Sequence, residues 1–264
     1  EVTGSETYFG GSYDKGEAHC HPLNYALGIA QAALSANAKI YENSTVSSYD
    51  LSNGHVKVNT KSGSVKAERV VLACNGYLGN LEKRLNSKLL PMNNYIVATK
   101  PLDNETVAKI NPRDIAFADS RFVINYFRLS ADKRLLFGGG ENYSQELSKN
   151  IIPIVTKPLE KIYPFLRGVK IDYAWGGKLA LTMNRLPFYK EMNQGKVLSA
   201  QGYSGQGVAL ASYAGKVIAE KITGDGEIFD TMANIPMRSF PGGRFLRNPT
   251  MRVGMFYHAL LDRL

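Results

Sequence analysis

The spacing of apolar residues divides the first third of the chain into a helix and several short strands. Over residues 22–36 the apolar side chains recur at helical spacing, and proline stands at a permitted first helical position: Pro22, Leu23, Leu27, Ala30, Leu34. Shorter apolar runs separated by glycine-containing turns predict strands at 38–41, 46–50, 56–60 and 65–72. This part of the chain is therefore expected to form one amphipathic helix followed by a small set of strands.

Beyond Pro91 the pattern changes to longer alternating runs. Strands are predicted at 95–98, 121–129, 134–137 and 173–177, and helices at 103–110 and 152–163. Alternation of this kind is typical of antiparallel strands with one buried face. We expect a second region here, with an antiparallel sheet and flanking helices.

Near its end the chain has a strand, a glycine-rich loop and a helix in succession. An apolar run at 197–201 breaks into Gly202, Gly205 and Gly207, and helical spacing resumes over 208–222. Glycines let the backbone approach a ligand, and the free N–H groups of a first helical turn attract negative charge. Two interpretations stay open for these residues alone: a cofactor-binding loop, or an ordinary strand-to-helix turn.

Several segments together resemble one family. The stretch from Asn184 through the Gly202 loop and the helix after it is similar to the C-terminal flavin-binding region of the FAD-dependent D-amino-acid oxidase-like superfamily. Residues 13–16, 21–27 and 69–76 resemble the same superfamily. The tail at 240–247 and 262–264 resembles the γ-glutamylputrescine oxidoreductase branch. The resemblance implies an α+β fold, in which the remnant of an α/β FAD-binding domain is joined to a mixed, largely antiparallel substrate-domain sheet with flanking helices.

The resemblance also implies a discontinuous cofactor domain. Residues 17–90 and 181–233 would form a partial FAD-binding domain, residues 1–16 and 91–180 the substrate domain, and residues 234–264 a basic tail or helix. A strand–G-x-G-x-x-G–helix unit is absent, since Gly138–Gly140 is followed by Glu141 and not by an apolar helix. We therefore expect the C-terminal portion of a longer enzyme. Its exposed sheet would be covered by the missing N-terminal segment or by self-association, and FAD binding by this chain alone stays open.

The resemblance assigns site residues as well. FAD, held non-covalently, would contact two strand ends and the loop: Val46, Ala73, Cys74, Asn75, Gly76, Gly202, Tyr203, Ser204, Gly205, Gln206, Gly207 and Val208. Substrate would contact Trp175, Gly177 and Tyr203. No catalytic residue is assigned, because hydride transfer to flavin does not require a nucleophile–base pair.

The substrate is expected to be a small-molecule amine. Relatives that oxidise amino acids place a carboxylate-binding arginine before the turn at 184–187, and Leu179 stands at or near that position here. The implied function is oxidation of a γ-glutamylputrescine-like amine by hydride transfer to flavin. Two alternatives stay open: a glycine, sarcosine or D-amino-acid oxidase, and a flavin-free binding or interaction module that retains the fold.

Composition excludes several other classes. The 264 residues carry a formal charge of +9, but lysines and arginines are scattered, which disfavours nucleic-acid binding. No apolar run is long enough for a membrane span, and Cys20 and Cys74 are the only cysteines, so we expect a cytoplasmic protein. Consecutive residues His19, Cys20 and His21 converge poorly on one ion, and no metal site is predicted.

Overall fold

The structure is a computed structural model that describes residues 2–52, 54–121, 123–142 and 146–243, together with 246, 247, 249 and 253. The described residues divide into two compact units: those within 2–27 and 93–177 belong to the first, and those within 28–92 and 178–249 to the second. The predicted tail helix falls largely outside the described residues. Assignment of the units to substrate and cofactor remains a prediction.

Helices and strands alternate irregularly along the chain, which confirms the α+β class. The helices are α1 (Pro22–Ser35), α2 (Lys83–Asn86), α3 (Asn104–Ile110), α4 (Ile152–Ile162), α5 (Gly207–Thr223) and α6 (Glu227–Ala233). The strands are β1 (Val46–Ser52), β2 (His55–Thr60), β3 (Ser64–Ala67), β4 (Val70–Leu72), β5 (Leu90–Thr99), β6 (Phe117–Ala118), β7 (Tyr126–Leu129), β8 (Leu135–Asn142), β9 (Ile171–Leu181), β10 (Phe188–Met192) and β11 (Val197–Gln201). No helix among the described residues is long and apolar enough to cross a membrane.

In the first unit a five-stranded sheet in the order β6-β7-β8-β5-β9 packs against α4. Aromatic rings dominate its core: Phe127 stacks on Phe137 with ring centroids 5.5 Å apart and meets the Tyr163 ring edge-on at 5.6 Å. Helix α3 begins where the Asp103 carboxylate accepts the Thr106 N–H at 2.8 Å. The residues beyond Pro91 that alternate between apolar and polar therefore form the predicted antiparallel sheet.

The second unit contains two three-stranded sheets, β1-β2-β3 and β10-β11-β4. Strands β11 and β4 are parallel, with Val197 opposite Val70 and Ser199 opposite Leu72. Leu198 and Ala200 face α5 and α6, whereas Val197 packs with residues of the opposite face. Helix α5 therefore covers one face of the parallel strand pair β4 and β11.

Three strand predictions differ from the structure. The expected strand at 38–41 has no regular structure, and Tyr41 is 68% exposed, since no neighbouring strand pairs with it in the described part of the chain. The expected strand at 65–72 breaks in two, because β3 pairs with β2 whereas β4 pairs with β11 in another sheet.

The third difference lies at 121–129, where only Tyr126–Leu129 is a strand. The buried Asp119 carboxylate accepts the backbone N–H groups of Arg121 and Asn125 at 3.3 and 2.9 Å. These side-chain bonds replace strand pairing and hold the segment as a loop. Phe122 lies outside the described residues.

Helix α1 forms as predicted but buries none of its residues. Leu23 and Leu27, which belong to its apolar stripe, are 61% and 59% exposed. Leu51 on β1 and Val65 on β3 are also exposed. An amphipathic helix normally buries such a stripe, so the stripe of α1 is an uncovered apolar surface.

Candidate functional site

The candidate site lies at the carboxyl ends of the parallel strands β4 and β11, the usual position of a ligand crevice in sheets of this kind. Strand β4 is followed by a short 3₁₀ turn, Asn75–Tyr77, and β11 by a loop at 202–206 that leads into α5. The third element is the end of β9 with the residue after it, 178–182. We call these three segments the junction.

Gly202 joins the loop to the other two segments. Its φ of +74° lies in the left-handed region, and a Cβ there would be 2.5 Å from Thr182 Cγ2 and 2.9 Å from Leu89 Cδ2. Its N–H donates to Asn75 Oδ1 at 3.0 Å. Only glycine therefore fits this position without displacing its neighbours.

Further hydrogen bonds attach the loop to the end of β9. The Ser204 N–H donates to the Ala180 carbonyl at 3.0 Å, and the Thr182 N–H donates to Ser204 Oγ at 3.3 Å. Thr182 Oγ1 in turn donates to the Leu186 carbonyl at 2.8 Å. Hydrogen bonds to Asn75 and to the end of β9 thus fix the course of the loop.

The turn Asn75–Tyr77 is attached to the same strand. A Cβ on Gly76 would lie 2.7 Å from the Lys178 carbonyl oxygen and 2.8 Å from that of Leu179, so the two backbones are in direct contact. The Lys178 N–H donates to the Tyr77 hydroxyl at 3.0 Å. Asn75 itself has a left-handed φ of +46°, a conformation that asparagine tolerates better than most residues.

A buried polar pair lies directly before the loop. Ser199 and Gln201 are fully buried, with Gln201 Nε2 donating to Ser199 Oγ at 2.7 Å and Ser199 Oγ donating to the Leu72 carbonyl at 3.2 Å. These bonds join β11 to β4 where both strands end. Gln201 Oε1 has no hydrogen-bond partner among the described residues.

Beyond the loop, the first turn of α5 presents backbone donors. No side chain caps this helix at Gln206, and Gly205, Gln206 and Val208 are exposed. A Cβ on Gly205 would meet no atom within 4 Å. Unpaired N–H groups at the positive end of a helix dipole, next to bare glycine backbone, suit a phosphate or another electron-rich group. The donor set therefore fits a phosphate group, such as those that a flavin nucleotide carries.

The structure brings together most of the predicted cofactor residues. Ala73 and Cys74 link β4 to the turn, and burial raises the pKa of the Cys74 thiol. Of the predicted cofactor residues, 75–76 and 202–206 belong to the junction, and Ala73, Cys74 and 207–208 lie next to it along the chain. Val46 instead begins β1 in the other sheet of this unit, opposite Thr60.

The predicted substrate residues are distributed over both units. Trp175 and Gly177 lie on β9 in the first unit, with Trp175 44% exposed. Tyr203 lies in the second unit, its ring packed in the core beneath α5 and its hydroxyl donating to the Ala200 carbonyl at 2.8 Å. Burial, and secondarily Tyr189, raises the pKa of Tyr203 to about 12. Their substrate contacts remain predictions.

Sequence reasoning missed Tyr77 and Thr182, whose bonds join segments distant along the chain. It also missed a polar pair in the first unit, where the Tyr126 ring covers Gly138 and its hydroxyl donates to Asn94 Oδ1. Such pairs leave no periodic signal, although a glycine within a strand indicates a close approach of this kind.

Comparisons with known proteins agree with this architecture. The family described as FAD dependent oxidoreductase, DAO, matches residues 1–221. The chain is 39% identical to probable oxidoreductase OrdL of Rhizobium meliloti (strain 1021) over 98% of its length and 60% of that protein. It is 38% identical to gamma-glutamylputrescine oxidoreductase of Escherichia coli (strain K12), over 98% of its length and 61% of that protein.

Solved structures show the same fold at lower identity. Glycine oxidase from Geobacillus kaustophilus superposes with a TM-score of 0.63 at 20% identity, over 75% of this chain and 53% of that one. L-proline dehydrogenase from P. horikoshii superposes with a TM-score of 0.62 at 23% identity, over 81% of this chain and 57% of that one. The chain thus spans about 60% of the length of the curated relatives that it matches.

Proposed function

Because this chain belongs to the DAO family of FAD-dependent oxidoreductases, we propose that it is the C-terminal portion of an amine-oxidising flavoenzyme with a γ-glutamylated amine as substrate. The relative from E. coli, whose name specifies gamma-glutamylputrescine, supports the substrate class. The family match supports the cofactor. We propose this amine-oxidising activity for a polypeptide as long as the relatives. We also propose that this polypeptide is cytoplasmic.

The observation that carries the proposal is the junction. The uncapped first turn of α5 offers backbone N–H groups beside the glycine loop, where a Cβ on Gly205 would meet no atom within 4 Å. When bound, FAD supplies the acceptor for the hydride that leaves the carbon next to the amine nitrogen. Residues 202–208 would hold the cofactor, and the positive end of the α5 dipole would stabilise negative charge on it.

The proposed preference for an amine rests on Leu179. This half-buried residue of β9 is apolar and cannot form a bidentate ion pair with an α-carboxylate. A substrate that consists only of a small amino acid would leave its carboxylate unpaired at that position, which is costly in a partly desolvated site. The glycine, sarcosine or D-amino-acid alternative requires a cation from elsewhere.

A hybrid enzyme tests the proposal. This chain replaces the part of the E. coli relative that it matches, and the preparation is compared with the unmodified E. coli protein by flavin absorbance and steady-state kinetics. We expect a yellow hybrid whose kcat/KM is far higher for γ-glutamylputrescine than for glycine or D-alanine. Higher kcat/KM for the small amino acids would favour the alternative oxidase. A folded but colourless hybrid, with native-like circular dichroism, would favour the flavin-free module.

A further inference from the structure

We propose that Asn75 has two functions in the junction: Oδ1 fixes the position of the Gly202 loop, and Nδ2 donates a hydrogen bond to an acceptor atom of the bound flavin nucleotide. The first function concerns the protein alone. The second rests on the proposed function, and the experiment below separates the two.

The orientation of the Asn75 side chain is determined by its partner. The Gly202 N–H can only donate, so the Asn75 atom 3.0 Å from it is the amide oxygen. This bond joins residues at the ends of two neighbouring parallel strands, at the point where the chain leaves β11. It therefore sets the direction in which the loop begins.

The backbone of Asn75 is also restrained. Its left-handed φ is followed by Gly76, whose Cα lies against the Lys178 and Leu179 carbonyls, and by Tyr77, whose hydroxyl accepts the Lys178 N–H. A side chain carried on so restrained a turn keeps its position when a ligand binds. Such preorganisation lowers the entropic cost of binding.

With the oxygen engaged, the two N–H groups of Nδ2 have no acceptor among the described residues. Asn75 is only half-buried, so a ligand can reach it. The first turn of α5 likewise offers donors, so Nδ2 and this turn together form a set of donors at the carboxyl ends of β4 and β11. Carbonyl and phosphate oxygens or an unprotonated ring nitrogen, all present in FAD, complement that set.

Two variants separate the functions. Asn75→Asp keeps an acceptor for the Gly202 N–H but has no donor, whereas Asn75→Ala loses both. Thermal unfolding of the flavin-free 264-residue chain measures the first function. We expect Asn75→Ala to lower Tm by about 2–4 °C and Asn75→Asp to change it by about 1 °C at most. If Asn75→Ala fails to fold while Asn75→Asp remains native-like, that result also supports this function. An unchanged Tm for Asn75→Ala overturns it.

The second function is measured as the FAD dissociation constant of the hybrid. We expect both variants to weaken binding roughly tenfold or more. The dissociation constant of Asn75→Asp should stay about tenfold or more above that of wild type at about 0.5 M NaCl, because salt screens the repulsion of the added carboxylate but does not replace the lost donor. Wild-type affinity in Asn75→Asp, or its recovery at high salt, overturns the donor function. A wild-type hybrid that binds no FAD overturns the proposed function and the donor function together, and Tm still decides the first one.

Discussion

At the scale of single residues, two glycines of the same loop differ in what a side chain would meet. Gly202 and Gly205 both have positive φ, but a Cβ on Gly202 would collide with Thr182 and Leu89 whereas one on Gly205 would meet no atom within 4 Å. We expect Gly202→Ala to cost about 2–4 kcal/mol of unfolding free energy, and Gly205→Ala only the backbone strain of about 1–2 kcal/mol. Urea unfolding of both variants checks this, and equal losses would contradict the described packing.

Gly205→Val tests the role of the loop in cofactor binding. A β-branched residue at a φ of +99° forces the loop to move, although space for the side chain is open. In the hybrid we expect FAD retention to be abolished while most of the fold is kept. Gly215→Val is the matched control, because Gly215 is an exposed glycine of α5 with no atom within 4 Å of an added Cβ. Unchanged flavin absorbance and affinity in Gly205→Val would remove the loop from the site.

Tyr203 gives a prediction for alkaline pH. Its folded-state pKa of about 12 exceeds the ordinary 10.0, so its contribution to stability is complete below about pH 10 and is lost as the pH rises towards 12. Tyr203→Phe loses the bond to the Ala200 carbonyl and should be less stable at pH 8 by about 0.5–1.5 kcal/mol. We expect this difference from wild type to shrink above pH 10 in urea unfolding. A difference independent of pH would show that the phenol is not desolvated.

At the scale of elements, the sequence predicted those helices and strands whose formation depends on the spacing of apolar residues within a short segment. The strand–loop–helix at 197–223 and helix α1 formed within a residue or two of the predicted bounds. The predictions were wrong where strand pairing determines the structure: 38–41 has no partner strand among the described residues, and 65–72 is divided between two sheets. The loop and residues 73–76 were predicted to belong to one site through family resemblance. Their joining by Tyr77 and Thr182 has no local sequence signal.

Helix α1 yields a prediction about its uncovered stripe. Because Leu23 and Leu27 are more than half exposed, the double variant Leu23→Ser/Leu27→Ser should leave the urea midpoint of the 264-residue chain nearly unchanged and reduce its self-association. In the hybrid we expect the same change to lower stability, since additional polypeptide would cover the stripe. Light scattering and urea unfolding measure both effects. A large loss of stability in the isolated chain would show that the stripe is already buried there.

At the scale of the whole molecule, the chain carries the junction but spans only about 60% of the length of the relatives it matches. Backbone donors in the first turn of α5, which begins at Gly207, offer a surface to one part of a dinucleotide. A cofactor of that size normally also needs a strand–G-x-G-x-x-G–helix unit, which this sequence does not contain. We therefore expect the junction to be necessary for FAD binding and insufficient for it.

Titration of FAD into the isolated 264-residue chain and into the hybrid, followed by flavin absorbance with light scattering in parallel, tests this most directly. We expect the hybrid to retain FAD stoichiometrically and the isolated chain to bind none. A monomeric isolated chain that binds FAD tightly, or a folded hybrid that binds none, would contradict it.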